Sequence, residues 1–147
     1  SDLIAFADFH RLPGEAPERD NTLVEGELIT AVELPAQGFA AHSSYLKVRD
    51  RASYAFALVS VAAALDMEGT TVRSARIAMG GVAHKPWRKA EAEAVLVGRP
   101  PDEAAFAAAA DALLGGASGF EHNAFKIELG RRAIVRALTD AARGAAQ

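Results

Sequence analysis

Residues 55–65 form an almost unbroken apolar run, and this feature constrains the fold more than any other. Periodicity alone cannot tell whether such a run is a buried helix or a buried strand. The flanking sequence favours a strand, because residues 66–69 resemble a tight turn and residues 70–79 alternate in polarity. We therefore predict a hairpin whose first strand is central in a sheet and covered on both faces.

Two further strands are predicted before this hairpin. Residues 27–34 alternate in polarity until Pro35, which cannot donate to a ladder and so ends the strand. Residues 43–51 carry polar side chains on one side and apolar side chains on the other, as in a half-exposed strand. The remainder of residues 1–38 reads as an irregular lead-in that includes a charged loop with Pro and Gly.

The second half of the chain favours helices. Pro86 suits a first helical position, so the first helix is predicted to continue over residues 87–97. A second helix opens at residues 100–103 and runs to Leu114, and a third covers about residues 121–142. The third helix carries an apolar stripe that needs a covering layer. The stripe consists of Phe120, Ala124, Ile127, Ile134, Leu138 and Ala141. Strands followed by helices predict an α+β fold of two packed layers.

Composition and charge exclude several classes of protein. The 147 residues include no cysteine, which excludes disulfide scaffolds, thiolate metal sites, cysteine nucleophiles and protein-ligated iron–sulfur clusters. A net charge of −3 at pH 7 gives no long-range attraction to nucleic acid, and no apolar run approaches the ~20 residues that span a bilayer. Because the chain begins at Ser1 without an initiating Met, we expect it to be part of something longer.

Side chains that could carry chemistry are scattered along the chain. The four histidines are His10, His42, His84 and His122. None has a partner at the i+3 or i+4 spacing of a metal site on a helix. No serine lies in a nucleophile elbow, and the Gly-Gly pairs match neither a P-loop nor a dinucleotide-binding fingerprint. The sequence therefore predicts neither a catalytic residue nor a metal ligand.

Two segments stand out from this background, and the first is a strand with a cationic side. That side carries Tyr45, Lys47, Arg49 and Arg51, with Tyr54 just beyond. A cationic face with aromatic neighbours suits a flat anionic ligand or a phosphate. The same charges would also protect an exposed edge strand from pairing with other chains, so both interpretations stay open.

The second segment is a basic loop around the single tryptophan, at residues 83–89. Three Lys or Arg residues beside an aromatic ring could contact nucleic acid, but the acidic balance of the whole chain argues against it. A contact with a partner protein, or helix capping, fits the loop better.

Four blocks of sequence follow one another along the chain. They are residues 25–32 (EGELITAV), 45–55 (YLKVRDRASYA), 80–88 (GGVAHKPWR) and 125–133, which begins FKIEL and includes Arg132 and Ala133. In this order they resemble the FAD-binding subunit of the xanthine dehydrogenase family of molybdenum hydroxylases. Within that family the sequence most resembles the flavin subunits of bacterial periplasmic aldehyde oxidoreductases. The resemblance covers nearly the whole chain.

The resemblance implies a fold and a domain boundary. The family's flavin subunit is roughly twice this size, and its two glycine-rich loops for the FAD pyrophosphate precede the segment present here. Residues 1–38 would be the tail of the FAD-binding domain. Residues 39–147 would be the flavoprotein C-terminal domain, a three-stranded antiparallel sheet packed against helices. Because the phosphate-binding loops are missing, we expect this chain to hold no FAD by itself.

The resemblance also implies three cofactor-binding residues. Ile29 would lie against the isoalloxazine ring and exclude water from it. Lys47, which ends a Ser-x-x-Lys stretch, would approach the ring, where a cation favours the anionic reduced flavin. Tyr54 follows a motif in which an aromatic side chain often lies near the ring, although Ser53 stands here where many relatives have Asp.

The implied function is electron transfer within a heteromeric enzyme. The intact subunit would bind FAD and pass electrons from iron–sulfur clusters to an external acceptor, after a molybdenum cofactor in a partner chain has oxidised an aldehyde or a heterocycle. The partners would be a molybdenum-cofactor subunit and an iron–sulfur subunit, with clusters in partner chains or in the missing N-terminal part. Neither nucleic acid nor membrane insertion is expected.

For His84, Lys85 and Trp87 the resemblance implies a conformational or subunit-contact role with no assigned chemistry. An alternative function for the whole chain is a stand-alone, non-catalytic protein-interaction domain of the same fold. A reading frame that continues upstream of Ser1 into two glycine-rich loops would favour the flavoprotein.

Overall fold

The computed structural model describes residues 3–36 and 38–144 as an antiparallel sheet with helices on one face. The strands are β1 (Ser43–Val48), β2 (Val59–Glu68) and β3 (Thr71–Gly80), in the sheet order β1-β2-β3. The helices are α1 (Phe6–Phe9), α2 (Ala90–Ala94), α3 (Glu103–Leu114) and α4 (Phe125–Ala142). The predicted α+β class, with strands first and helices after, is confirmed.

The apolar run at residues 55–65 contributes most of β2, the central strand. The predicted hairpin is confirmed, and its turn lies at Gly69-Thr70, where Gly69 has a φ of +60°. The expectation that both faces of this strand are covered is wrong. Ala63 is buried on one face, whereas Ala62 is exposed on the other.

The helices cover one face of the sheet and form the core with it. Helix α4 packs on β1 and β2, α3 packs on α4, and α2 lies between α3 and β3. The largest fully buried side chains are Phe106, Leu65, Ile77, Met79, Leu96, Leu113, Ile134, Leu138, Val59, Val61 and Val72. This layer covers the C-terminal part of the stripe predicted for the last helix, while Phe120 before the helix is 81% exposed.

Hydrogen bonds from later parts of the chain cap the outer edge of β3. Val72 exchanges backbone hydrogen bonds with residues 98 and 99, and Met79 exchanges two with Trp87. Between them, the Ile77 N–H donates to the Glu93 carboxylate at 3.0 Å. A covered edge offers no ladder to another chain, so β3 is protected from edge-to-edge pairing.

Several predicted elements and boundaries differ from the structure, including the last helix, which begins at Phe125 and not near residue 121. Residues 27–34 form no strand and are exposed, because no neighbouring strand in the described ranges supplies a ladder for them. Pro86 does not start a helix, since the backbone of Trp87 pairs with β3 instead, and the helix begins at Ala90. Strand β1 ends at Val48, earlier than predicted.

The start of α3 follows the rules for helix capping. Asp102 is the N-cap, and its carboxylate accepts a 2.8 Å hydrogen bond from the Ala105 N–H. The preceding Pro100-Pro101 cannot extend a helix backwards. The predicted helix over these residues is confirmed, with its last residue at Leu114. None of the helices in residues 3–36 and 38–144 combines the length and the apolar character needed to cross a membrane.

Gly81, just after β3, tests how tightly this end of the sheet is packed. It has a φ of +75°, and a Cβ there would lie 2.9 Å from the Ala57 carbonyl oxygen. We expect Gly81→Ala to lower the free energy of unfolding by about 2–3 kcal/mol, since both the φ angle and the contact oppose a side chain. Denaturant unfolding followed by circular dichroism measures this loss.

Gly98 supplies the matched control, because its φ is +74° and a Cβ there would meet nothing within 4 Å. Gly98→Ala therefore carries only the backbone cost, about 1 kcal/mol. Equal losses for the two variants would show that the backbone at Ala57 moves aside without cost.

Candidate functional site

The face of the sheet opposite the helices is open and nearly free of large side chains. Its residues follow from the register, in which Lys47 pairs with Ser60 and Ser60 with Gly80. The next row is Tyr45, Ala62 and Ala78, and the row after it is Ser43, Ala64 and Arg76. Small residues on β2 and β3 therefore make a flat floor, with longer side chains along its two sides.

Lys47 and Tyr45 lie side by side on the β1 edge of this open face. Both are exposed, and Tyr45 is 67% accessible. Within the described ranges, the Lys47 ammonium group takes part in no hydrogen bond or ion pair. A cation without a protein partner next to an accessible ring can receive a flat, electron-rich group, so the structure is compatible with the predicted role of Lys47.

Tyr54 lies in the loop between β1 and β2 in an unusual backbone conformation. Its φ is +54°, the one positive φ of a non-glycine residue in the described part of the chain. The Arg51 guanidinium donates to the Tyr54 carbonyl through Nε at 3.1 Å and through Nη2. The ring is 95% exposed. Arg51 therefore holds a costly backbone conformation that turns the Tyr54 ring into solvent.

Ile29 lies in the exposed segment before the sheet, and its side chain is 58% accessible. The neighbouring Leu28, Val32 and Leu34 are exposed as well. The structure therefore brings Tyr45 and Lys47 together and leaves Ile29 and Tyr54 accessible on separate segments. The roles of Ile29, Lys47 and Tyr54 at a flavin stay predictions.

The open face continues into a groove of about 920 Å³. Alanines of β2 and β3 form its floor, and residues of the N-terminal segment around α1 form one wall. Its cationic side chains are Arg76, Lys85 and Arg88, and none of the described residues that line it carries a carboxylate. Sequence reasoning missed this groove, because its walls come from segments far apart in the chain.

A buried carboxylate, Glu93, pairs with two of these cations, Arg88 and Arg76, beneath the groove. It is 5% exposed and accepts from Arg88 Nε at 2.6 Å and from Arg88 Nη2 at 2.8 Å. Arg76 Nη1 lies 3.8 Å away. Burial alone would raise the pKa of Glu93, but the hydrogen bonds from Arg88 and Ile77 and the two positive charges outweigh it and hold the pKa below its usual range.

The basic loop predicted to contact a partner or to cap a helix forms hydrogen bonds with the end of α3, and a partner contact stays a prediction. The Trp87 indole Nε1 donates to the Leu113 carbonyl at 2.9 Å, at the end of α3. The Lys89 ammonium donates to the Gly115 carbonyl just beyond. These bonds satisfy carbonyls that a helix terminus leaves without partners. The predicted capping is confirmed, and the helix that is capped is α3.

Two of the four histidines take local structural positions. His42 Nδ1 lies 3.2 Å from the Ala141 carbonyl, and the His10 ring stacks edge-on against Phe6 and Phe9. No group of three or more His, Asp or Glu side chains within the described ranges is arranged to hold a metal ion.

Comparison with known proteins gives these features a context. Residues 44–141 match the family described as the CO dehydrogenase flavoprotein C-terminal domain. The chain is 45% identical over 138 residues to the aldehyde oxidoreductase FAD-binding subunit PaoB of Escherichia coli K12, an alignment that covers 94% of this chain and 40% of PaoB.

Two solved structures share the fold. The reconstituted CO dehydrogenase from Oligotropha carboxidovorans matches with a TM-score of 0.74 and 27% identity over 85% of this chain and 45% of that chain. A CO dehydrogenase from Hydrogenophaga pseudoflava that lacks the Mo-pyranopterin moiety of the molybdenum cofactor matches with a TM-score of 0.67 and 30% identity. This match covers 76% of this chain and 40% of that chain.

These matches confirm the resemblance and the predicted fold class. The chain spans less than half the length of these relatives. Residues 44–141 carry the family match, and they include nearly all of the sheet and of the helical layer. The chain belongs to the family of CO dehydrogenase flavoprotein C-terminal domains.

Proposed function

We propose that this chain is the C-terminal part of the FAD-binding subunit of a molybdenum-dependent dehydrogenase, where it completes the flavin pocket and contacts partner subunits. The observation that carries the proposal is the accessible pair Lys47 and Tyr45 on an open sheet face, in a chain that is 45% identical to an FAD-binding subunit. That relative serves an aldehyde oxidoreductase, so we propose an aldehyde as the substrate class.

The proposed domain boundary accounts for the segment that forms no strand. Residues 1–38 would be the tail of the FAD-binding domain, and residues 39–147 the flavoprotein C-terminal domain. Residues 27–34 alternate in polarity, yet their apolar side chains are exposed and lack a ladder in the described part of the chain. A preceding domain that supplied a neighbouring strand would satisfy both features.

The residues of this chain would bind and position the cofactor. Lys47 would place a positive charge at the edge of a bound ring, Ile29 would cover part of its surface, and Tyr54 would contribute an aromatic face. A bound flavin supplies the ability to accept and release electrons one or two at a time. Electrons would pass from a molybdenum cofactor to iron–sulfur clusters and from these to the flavin. The molybdenum cofactor and the clusters would lie in partner subunits or in the preceding part of this subunit.

The alternative of a stand-alone interaction domain has less support. The open face would suit a docked protein, but the 45% identity to an FAD-binding subunit extends over 94% of this chain. The identity therefore includes the segment before the sheet, which an independent interaction domain would not need.

Replacement of Lys47 tests the proposal. In the complete subunit, we expect Lys47→Ala to weaken retention of the reduced flavin about fivefold and to make the flavin's reduction potential more negative. The reason is that a nearby cation stabilises negative charge on the ring by about 1 kcal/mol at a partly exposed site. Flavin content per polypeptide after gel filtration of the reduced protein and a redox titration measure the two effects.

Arg136, exposed on α4 in an ion pair with Asp140, supplies the control for lost positive charge. Arg136→Ala should leave flavin content and potential unchanged. Unchanged values in Lys47→Ala as well would remove Lys47 from the site.

A further inference from the structure

We propose that the open face of the sheet is the docking surface for the FAD-binding domain of the complete subunit, and that this domain presents carboxylates to the groove. The inference rests on the proposed function, because it takes residues 1–38 as the end of that domain. It adds which face of the sheet the FAD-binding domain covers and the sign of the charge that this domain presents there.

The course of the N-terminal segment is the first argument. Phe6, Ala7 and His10 form one wall of the groove, and the Lys85 ammonium donates to the Ala7 carbonyl at 3.2 Å. The segment that would lead out of the FAD-binding domain therefore already lies along this face. A domain joined at that point has a high effective concentration at the face, so modest contacts suffice to hold it there.

The composition of the open face is the second argument. An antiparallel sheet with one solvated face normally carries polar side chains on that face. Here the floor of the groove is made of Ala62, Ala64 and Ala78, and the accessible ring of Tyr45 lies beside Ala62. Small apolar side chains let another surface approach closely, and a contiguous group of them with Ala62 exposed and Ala64 and Ala78 half-buried is typical of an interface.

Charge identifies the chemistry of the occupant. The groove carries Arg76, Lys85 and Arg88 and, among the described residues, no carboxylate of its own, although the whole chain has a net charge of −3. The Glu93 carboxylate, beneath the groove, neutralises one of these three positive charges, so the walls of the groove keep a net positive charge. Complementary potentials are the rule at such contacts, so we infer that the docked surface is acidic.

Photo-crosslinking in the complete, flavin-containing complex tests the inference. We place p-benzoylphenylalanine at Tyr45, where it replaces an exposed ring, and in separate samples at Ala62 on the floor and at Ala104 on α3. Ala104 is exposed on the helical layer and serves as the control. Residues 45 and 62 should crosslink to the preceding domain of the same polypeptide, at peptides rich in Asp or Glu, and residue 104 should not.

Charge reversal gives a second readout. Lys85→Glu should lower the crosslink yield from residue 45 about fivefold, because a like charge would face the acidic surface, whereas Arg136→Glu on α4 should not change it. Crosslinks from both groove positions to a different subunit, or no crosslink from either, would overturn the inference. Flavin content of the same samples reports on the proposed function separately, so normal flavin with misdirected crosslinks refutes only the docking surface.

Discussion

Glu93→Ala is expected to lower the free energy of unfolding of this chain by about 3 kcal/mol. The substitution leaves the Ile77 N–H without its partner inside the protein, and it removes the charge that Arg88 and Arg76 share. Because both guanidinium groups are nearly half exposed, water compensates part of the loss, and the buried N–H accounts for most of the cost. For a domain of this size the melting temperature should fall by about 10 °C.

The pH dependence distinguishes charge from packing at this site. The folded-state pKa of Glu93 lies below its ordinary value of about 4.3. Its contribution is therefore fully present above the pKa of the unfolded chain and is lost as the pH falls through the folded-state pKa. Glu93→Gln should cost about 1–2 kcal/mol at pH 7, and the difference from the unsubstituted chain should shrink toward zero with acidification below about pH 4.

Glu91 provides the matched control, because it lies two residues away on the same short helix and is exposed. Glu91→Ala should change the free energy of unfolding by less than about 0.5 kcal/mol. Thermal melts of the three variants from pH 3 to pH 7 decide the matter. A pH-independent loss in Glu93→Gln would show that the ion pairs contribute nothing.

The sequence identified the strands of the hairpin because their signals are local. An apolar run, a glycine turn and a second alternating run follow one another within residues 55–79, and no distant contact is needed to interpret them. The same reasoning failed at residues 27–34. Alternation shows that a strand would have two different faces, but it does not show that a neighbouring strand exists.

The missed features depend on contacts between distant segments. Pro86 looked like a helix start, yet the Trp87 backbone finds a better partner in Met79 on the edge of β3. The role of Glu93 has no local signal, because nothing near it in the sequence indicates that it accepts a hydrogen bond from Ile77, sixteen residues earlier. Local propensity is a weak signal, and tertiary hydrogen bonds override it at both places.

The open face shows a different limit. The apolar run at residues 55–65 predicts a strand that is covered on both faces, whereas residues 3–36 and 38–144 cover only one face of it. The apolar pattern of a strand reflects its burial in the assembly in which the domain functions, and not only its burial within one domain. A mismatch between the burial that a sequence implies and the burial that one domain shows therefore points to a further contact, which is the basis of the docking surface proposed above.

Trp87→Ala should be about as damaging as the loss of Glu93, at about 3 kcal/mol. The indole is half buried, its N–H satisfies the Leu113 carbonyl at the end of α3, and its backbone pairs with Met79 at the edge of β3. Removal of the ring leaves a gap between the sheet edge and the helical layer. Denaturant unfolding of the chain alone measures the effect without any partner subunit.

Two further variants separate a structural role from a subunit contact. Trp87→Phe keeps most of the packing and loses only the hydrogen bond to Leu113, so it should cost about 1 kcal/mol. His84→Ala, exposed in the same loop, should cost less than about 0.5 kcal/mol. A Trp87→Ala chain of unchanged stability that no longer assembled with its partners would instead assign the tryptophan to an interface. The hydrogen bond from the indole to Leu113 favours a structural role, because this side chain joins the segment paired with β3 to the end of α3 within one domain.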